Sequence, residues 1–146
     1  MAAPSHANIE VFNETDNRLP ISRADCQAIV TLIMQHEDCS FRFVEVVYVD
    51  EEEIIRINKE YLDRGYVTDI ISFRYDETDD NEEIEGTLFC CLPRIREQAH
   101  EFNQSEKKEF QRILIHGLLH LVGYDDQSDD DKKNMSSREN FYLDHI

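Results

Sequence analysis

The sequence is short of positive charge. Its 15 lysines and arginines stand against 32 aspartates and glutamates, a formal net charge of −17. Proteins that bind polyanions over a broad surface gather Lys and Arg, because phosphate neutralisation supplies most of their affinity. The balance is therefore a strong argument against a nucleic-acid function. Long apolar runs are also missing, and none approaches the ~20 residues of a membrane-spanning helix. The opening MAAPSHANIEVFNE has neither a basic n-region nor an apolar h-region, so no secretory signal is expected. The four cysteines (Cys26, Cys39, Cys90, Cys91) show no CxxC or zinc-finger spacing. Reduced, partly buried thiols in a cytoplasmic protein are the expectation. Repeats, low-complexity segments and linkers are absent as well.

What is present is enough apolar residue, 40%, to build a core in a chain of 146 residues. One domain over 1–146 is expected. The acid is unevenly spread. DETDDNEEIE (76–85) carries seven carboxylates and DDQSDDD (125–131) five more. Over 94–112, five cations (Arg94, Arg96, Lys107, Lys108, Arg112) face four glutamates, so a locally basic face on an acidic protein is expected there.

Periodicity predicts a strand over 8–13, a helix over 23–37 opened by Pro20 and Ser22, and a strand over 40–50. Asp50 is placed to cap a second helix that Gly65 ends. Strands over 67–75 and 84–92 flank the acidic loop as a hairpin, with Cys90 and Cys91 on opposite faces. Pro93 opens a helix to about 102, Ser105 caps the main helix over about 106–122, and Ser128 with Asp131 starts a last helix. The pattern is α+β, one domain with a mixed sheet and surrounding helices.

The main helix carries the chemistry. In HGLLHLVGYDD (116–126), His116 and His120 stand one helical turn apart and share a face. Gly123 lets the chain reverse, and the reversal can carry Asp126 back to the imidazoles. Three protein ligands with an open position suit a catalytic divalent metal, with Zn²⁺ the expected ion, one per chain. The spacing is that of a metzincin-type metal helix. A metalloprotease of this pattern carries Glu directly after the first histidine as general base; here that residue is Gly117. Peptide hydrolysis is therefore disfavoured. Gly117 costs about 1 kcal/mol of helix propensity relative to Ala, which suggests close approach of another element or of substrate. A metal-bound water remains a nucleophile suited to phosphodiester cleavage. His6, His36, His100 and His145 have no partner spacing and are expected on the surface.

HGLLHLVGYDD resembles the HGxLHLxGYDH signature of the YbeY family, the bacterial rRNA maturation endoribonucleases. His116, Gly117, Leu119, His120, Leu121, Gly123, Tyr124 and Asp125 all fall in place. TDIISF (68–73) is similar to the family's TDVLSF, preceded by IN at 57–58 and by Tyr61, and EGTLFCCLPRIREQA (85–99) is similar to a third block. The likeness spans roughly 55–146.

The resemblance implies a mixed four-stranded sheet with surrounding helices. It implies a metal-dependent single-strand endoribonuclease acting at the small-subunit rRNA 3′ end. Partners would be single-stranded or ribosomal RNA and the small subunit or its assembly factors, in the cytoplasm and away from membranes. The alternative readings are a non-catalytic assembly factor with a structural metal, or a metzincin-like hydrolase. Asp126 stands where the family has histidine, which makes the site harder and admits Mn²⁺, Fe²⁺ or Ni²⁺. Leu62 stands where the family has arginine, with Arg64 two residues on, and Thr87 replaces an aspartate. Beyond the metal-bound water, Thr68, Asp69, Ser72 and Arg64 are the cleft candidates. Asp69 either orients a ligand histidine or is a solvated strand residue; Asp125 caps the turn.

Overall fold

The computed structural model describes residues 8–76, 78 and 80–146; His6 and two residues of the acidic loop lie outside that range. Nine elements follow in order: β1 (Asn8–Asn13), α1 (Arg23–Glu37), β2 (Phe41–Val49), α2 (Glu51–Leu62), β3 (Ile70–Arg74), β4 (Ile84–Cys91), α3 (Leu92–Glu101), α4 (Glu106–Val122) and α5 (Asp129–Asp144). The sheet has the order β1-β2-β4-β3. β1, β2 and β4 are parallel, and β3 returns antiparallel to β4, which makes the sheet mixed and the hairpin real. The architecture is the α+β, four-stranded arrangement expected.

Alternation along the strands sorts the core into two layers. Val44, Val46, Tyr48, Leu88 and Cys90 face one side and pack with α1, α4 and α5. Val47, Val49, Ile71 and Cys91 face the other side and are covered by Ile54 and Ile57 of α2. Cys90 and Cys91 do point to opposite faces. α4 is more deeply buried than a one-sided amphipathic stripe, since Ile115 and Leu119 are covered along with the expected Phe110, Ile113, Leu114, Gly117, Leu118 and Leu121. It is the central helix, and its two histidines are among the few polar side chains on it near the sheet.

One helix boundary and one cap differ from expectation, both on α2. α2 stops at Leu62, and Asp63 takes the left-handed cap conformation at φ 53°. An aspartate tolerates that region through local hydrogen bonding, so the chain turns before Gly65, whose φ is not positive. Asp50 occupies the N-cap of α2 without a side-chain cap bond. The three glutamates of the first turn, Glu51, Glu52 and Glu53, favour that end through the helix dipole. Elsewhere the caps are as read. Ser22 and Asp25 form a reciprocal capping box, and Ser105 and Ser128 each accept a first-turn N–H. β3 is shorter than 67–75, because Val67, Thr68 and Asp69 form the approach to the strand, not part of it.

Gly117 has a packing reason. A Cβ there would come 2.5 Å from Ile70 Cδ1 and 3.2 Å from Leu88. The missing side chain lets α4 lie close against β3 and β4. The approach belongs to the sheet and not to substrate. It also brings His116, one residue earlier, to the sheet edge where β3 begins.

Candidate metal centre

The turn after α4 explains how three distant donors meet. Gly123 adopts φ 123°, its N–H bonds to His120 O at 3.1 Å, and the Tyr124 N–H bonds to Leu119 O at 3.0 Å. This pair of bonds is a Schellman closure, which an L side chain at the glycine would strain. Asp125 Oδ1 accepts the Asp126 N–H at 2.8 Å, the turn-capping role expected of it. The reversal brings Asp126 Oδ2 to 3.4 Å from both His116 Nε2 and His120 Nε2, which are 3.0 Å from each other. Donor atoms 2.0–2.1 Å from a tetrahedral ion stand about 3.3–3.4 Å apart. These three atoms therefore have the spacing of one face of such a site.

The hydrogen bonds on the far sides of the rings fix the tautomers. His120 Nδ1 lies 2.9 Å from the carbonyl oxygen of Tyr124, which can only accept, so that nitrogen carries the proton. His116 Nδ1 lies 2.7 Å from Glu139 Oε2. With both Nδ1 atoms donating, the two Nε2 lone pairs and a carboxylate oxygen converge on one point. Three acceptors in that arrangement call for a cation, and this is the ligand-orienting pattern of metal-binding histidines. Burial disfavours the imidazolium of His116. The hydrogen bond and charge of Glu139, with the charges of Asp69 and Asp126, outweigh that and hold its pKa above the ordinary histidine value.

Glu139 is the residue that sequence reasoning missed. Its side chain is buried and bridges His116 to Arg112, whose Nη1 donates to Oε1 at 2.9 Å. A signal was present: the buried positions of α5 are Met135, Glu139 and Tyr142, so a carboxylate occupies the apolar stripe. Asp69 does not take the orienting role. Its Oδ2 accepts from Gln98 Nε2 at 3.0 Å and its Oδ1 from the Ile70 N–H at 2.7 Å.

All four cleft candidates are at the site. A cavity of about 440 Å³ is lined by Arg64, Thr68, Asp69 and Ser72 together with His116, His120 and Asp126. Leu62 and Arg64 both border it, so the second arginine position does reach the cleft. The basic face expected over 94–112 does not form beside it. Arg94 pairs with Glu97 and Glu101 along α3, while Arg96 reaches Glu106 on α4 and Arg112 reaches Glu139 on α5. His36, His100 and His145 are exposed, as expected. No helix among the described residues is long and apolar enough to cross a membrane.

A mixed sheet carrying a two-histidine helix, with a carboxylate returned to it by a glycine turn, defines an α+β protein built around a candidate single-metal centre. Comparison with known proteins narrows the class. The family described as Endoribonuclease YbeY matches residues 10–146, and the chain belongs to that family. It is 36% identical to an endoribonuclease YbeY of Chlorobium limicola over 92% of this chain and 90% of the relative. It is 41% identical to that of Fusobacterium nucleatum over 69% and 65%. A solution structure of a Thermotoga maritima protein superposes with a TM-score of 0.62 at 29% identity, covering 92% of this chain and 86% of the other.

Proposed function

We propose that the chain is a metal-dependent endoribonuclease that cuts single-stranded RNA, with His116, His120 and Asp126 holding one divalent ion, Zn²⁺ first among the choices. The observation that carries this reading is the convergence of three acceptor atoms on one point at the floor of an open cleft. Structural zinc sites are closed by four protein ligands, whereas catalytic sites keep a position free. Three ligands beside a cleft thus favour chemistry over a purely structural ion. When bound, the ion supplies Lewis acidity, lowering the pKa of a water and neutralising charge on the phosphoryl oxygens. The protein's share is positional. Glu139 and the Tyr124 carbonyl keep both Nε2 lone pairs aimed inward. Arg64, at the cleft wall, is placed to contact a phosphate. Gly117, packed on Ile70, supplies no protease-type base.

The family membership supports a biological setting in rRNA maturation: processing of the small-subunit rRNA 3′ end, in the cytoplasm, with the small subunit or its assembly factors as partners. The test joins metal analysis to a cleavage assay. Protein prepared without chelator is expected to hold about one metal ion per chain and to cut a single-stranded RNA. His116→Ala with His120→Ala is expected to lose both properties, and Asp126→Ala to lose cleavage. Metal-free wild type with full activity, or equal cleavage by Asp126→Ala, overturns the reading.

A further inference from the structure

The exposed apolar side chains are not scattered evenly. Among the described residues, Tyr61, Leu62 and Tyr66 are three of the seven large hydrophobics left in solvent; the first two end α2 and Tyr66 lies in the short segment between α2 and β3. Tyr66 is 52% exposed and Leu62 41%, and both border the cavity that holds the candidate triad. The segment is held firmly from beneath. Asn58, 1% exposed, donates its side-chain amide to the Tyr66 carbonyl at 3.0 Å, and its own carbonyl accepts the Arg64 N–H at 3.2 Å. A buried amide thus fixes the backbone under an exposed ring. Such pre-organisation lowers the entropy cost of binding through that ring.

We propose that Tyr66, flanked by Leu62, is a stacking shelf for one unpaired nucleobase of the RNA strand whose phosphate enters the cleft. This inference rests on the endoribonuclease reading. The charge of the molecule is what selects this occupant. With −17 overall and the 94–112 arginines paired to glutamates, counterion release contributes little to holding RNA. Binding to the face of a base is indifferent to that charge, and any base offers such a face. A base in a duplex is already stacked on its neighbours, so the shelf selects single strands. The Arg64 guanidinium, 3.4 Å from the Tyr66 hydroxyl, lies beside the ring where the adjoining phosphate would pass.

The test uses the full chain loaded with Zn²⁺ and a fluorescent single-stranded RNA oligomer, with an abasic nucleotide moved through each position in turn. Tyr66→Ala is expected to raise Kd and KM about 5- to 100-fold with kcat nearly unchanged. Tyr66→Phe, which keeps the ring face, is expected to restore both constants, and the metal content of both variants stays at the wild-type level. At one position the abasic substitution is expected to weaken wild type to the level of Tyr66→Ala and to cost that variant nothing more. Equal constants for wild type and Tyr66→Ala, or abasic penalties that fall equally on both at every position, overturn the shelf. If wild type binds the oligomer but does not cut it, the nuclease reading fails, while the binding constants still decide the shelf.

Discussion

Glu139 shows how one side chain can be set by chemistry against packing. Its place on α5 falls between Met135 and Tyr142 in the buried stripe, where an apolar residue would cost nothing to desolvate. The carboxylate is retained between two charge-assisted partners, His116 Nδ1 at 2.7 Å and Arg112 Nη1 at 2.9 Å. It holds the His116 ring so that Nε2 faces Asp126, and its charge makes that nitrogen a better donor. Glu139→Gln preserves the volume but removes the charge and one of the two accepted bonds. Metal affinity is expected to fall about 10- to 100-fold, the usual cost of losing a ligand's orienting partner. A competition titration against a chromogenic chelator checks this, and an unchanged affinity would reduce Glu139 to a packing residue. Arg112 belongs to the same unit, since its Nη2 also donates to Asn140 at 2.7 Å and so ties α4 to α5.

At the scale of elements, the turn bearing Asp126 is held from two sides. From the hairpin, Arg74 Nη1 and Asn81 Nδ2 donate to the Leu121 and Val122 carbonyls, each at 3.0 Å, capping the C-terminal end of α4. From α1, Glu37 accepts the Tyr124 hydroxyl at 2.7 Å, the Tyr142 hydroxyl, and Arg138 Nε at 3.1 Å. Tyr124 is the residue whose carbonyl orients His120, so Glu37 braces the centre through it. Burial raises the Glu37 pKa, but the two tyrosines and Arg138 outweigh it and leave the value below the ordinary glutamate. A carboxylate depressed in the folded state adds stability above its unfolded pKa, about 4.3. That stability is lost as pH falls through the lower folded value. Asp76, held down chiefly by Arg74, has the same sign. Glu37→Gln is expected to lose about 2–4 kcal/mol at pH 7, because Arg138 is left without its charge partner. It is also expected to flatten the fall in Tm between pH 5 and 3, and thermal melts across that range check both; parallel curves for variant and wild type would exclude Glu37 as a source of acid lability. Local signals made much of this legible from sequence: serine caps, alternating strands, and a histidine pair followed by Gly123 point directly to elements and triad. Glu37 was not legible, because it acts on residues far away in the chain and a polar residue with tertiary partners leaves no periodic trace; Glu139 left only its place in the apolar stripe of α5, and Asn58 only its place in IN at 57–58, neither of which shows the partner. The basic face over 94–112 was misread for the same reason: composition counts the charges, but Arg96 and Arg112 meet their glutamates only where α3, α4 and α5 pack together.

For the whole molecule the dominant quantity is the net charge of −17. Compacting that many like charges opposes folding through self-repulsion. The ion pairs that offset it are largely exposed, as in Arg42 with Glu85 and Arg94 with Glu97, and such pairs contribute little and weaken in salt. Screening therefore relieves more repulsion than it removes attraction. The Debye length shortens from about 30 Å at 0.01 M to about 10 Å at 0.1 M, which spans the change from charges felt across the domain to charges felt only locally. Tm is expected to rise by about 2–8 °C between roughly 0.02 M and 0.3 M KCl, corresponding to about 1–2 kcal/mol for a chain this size. The melts are run at fixed zinc, so that mass action on the metal stays constant. A matching series in sucrose separates screening from preferential exclusion, since a neutral osmolyte leaves the repulsion in place. A Tm that falls with salt would mean that the ion pairs, and not the excess of carboxylates, set the electrostatic balance. In that case the paired arginines on α3 and α4 would be the charges holding the helix layer together.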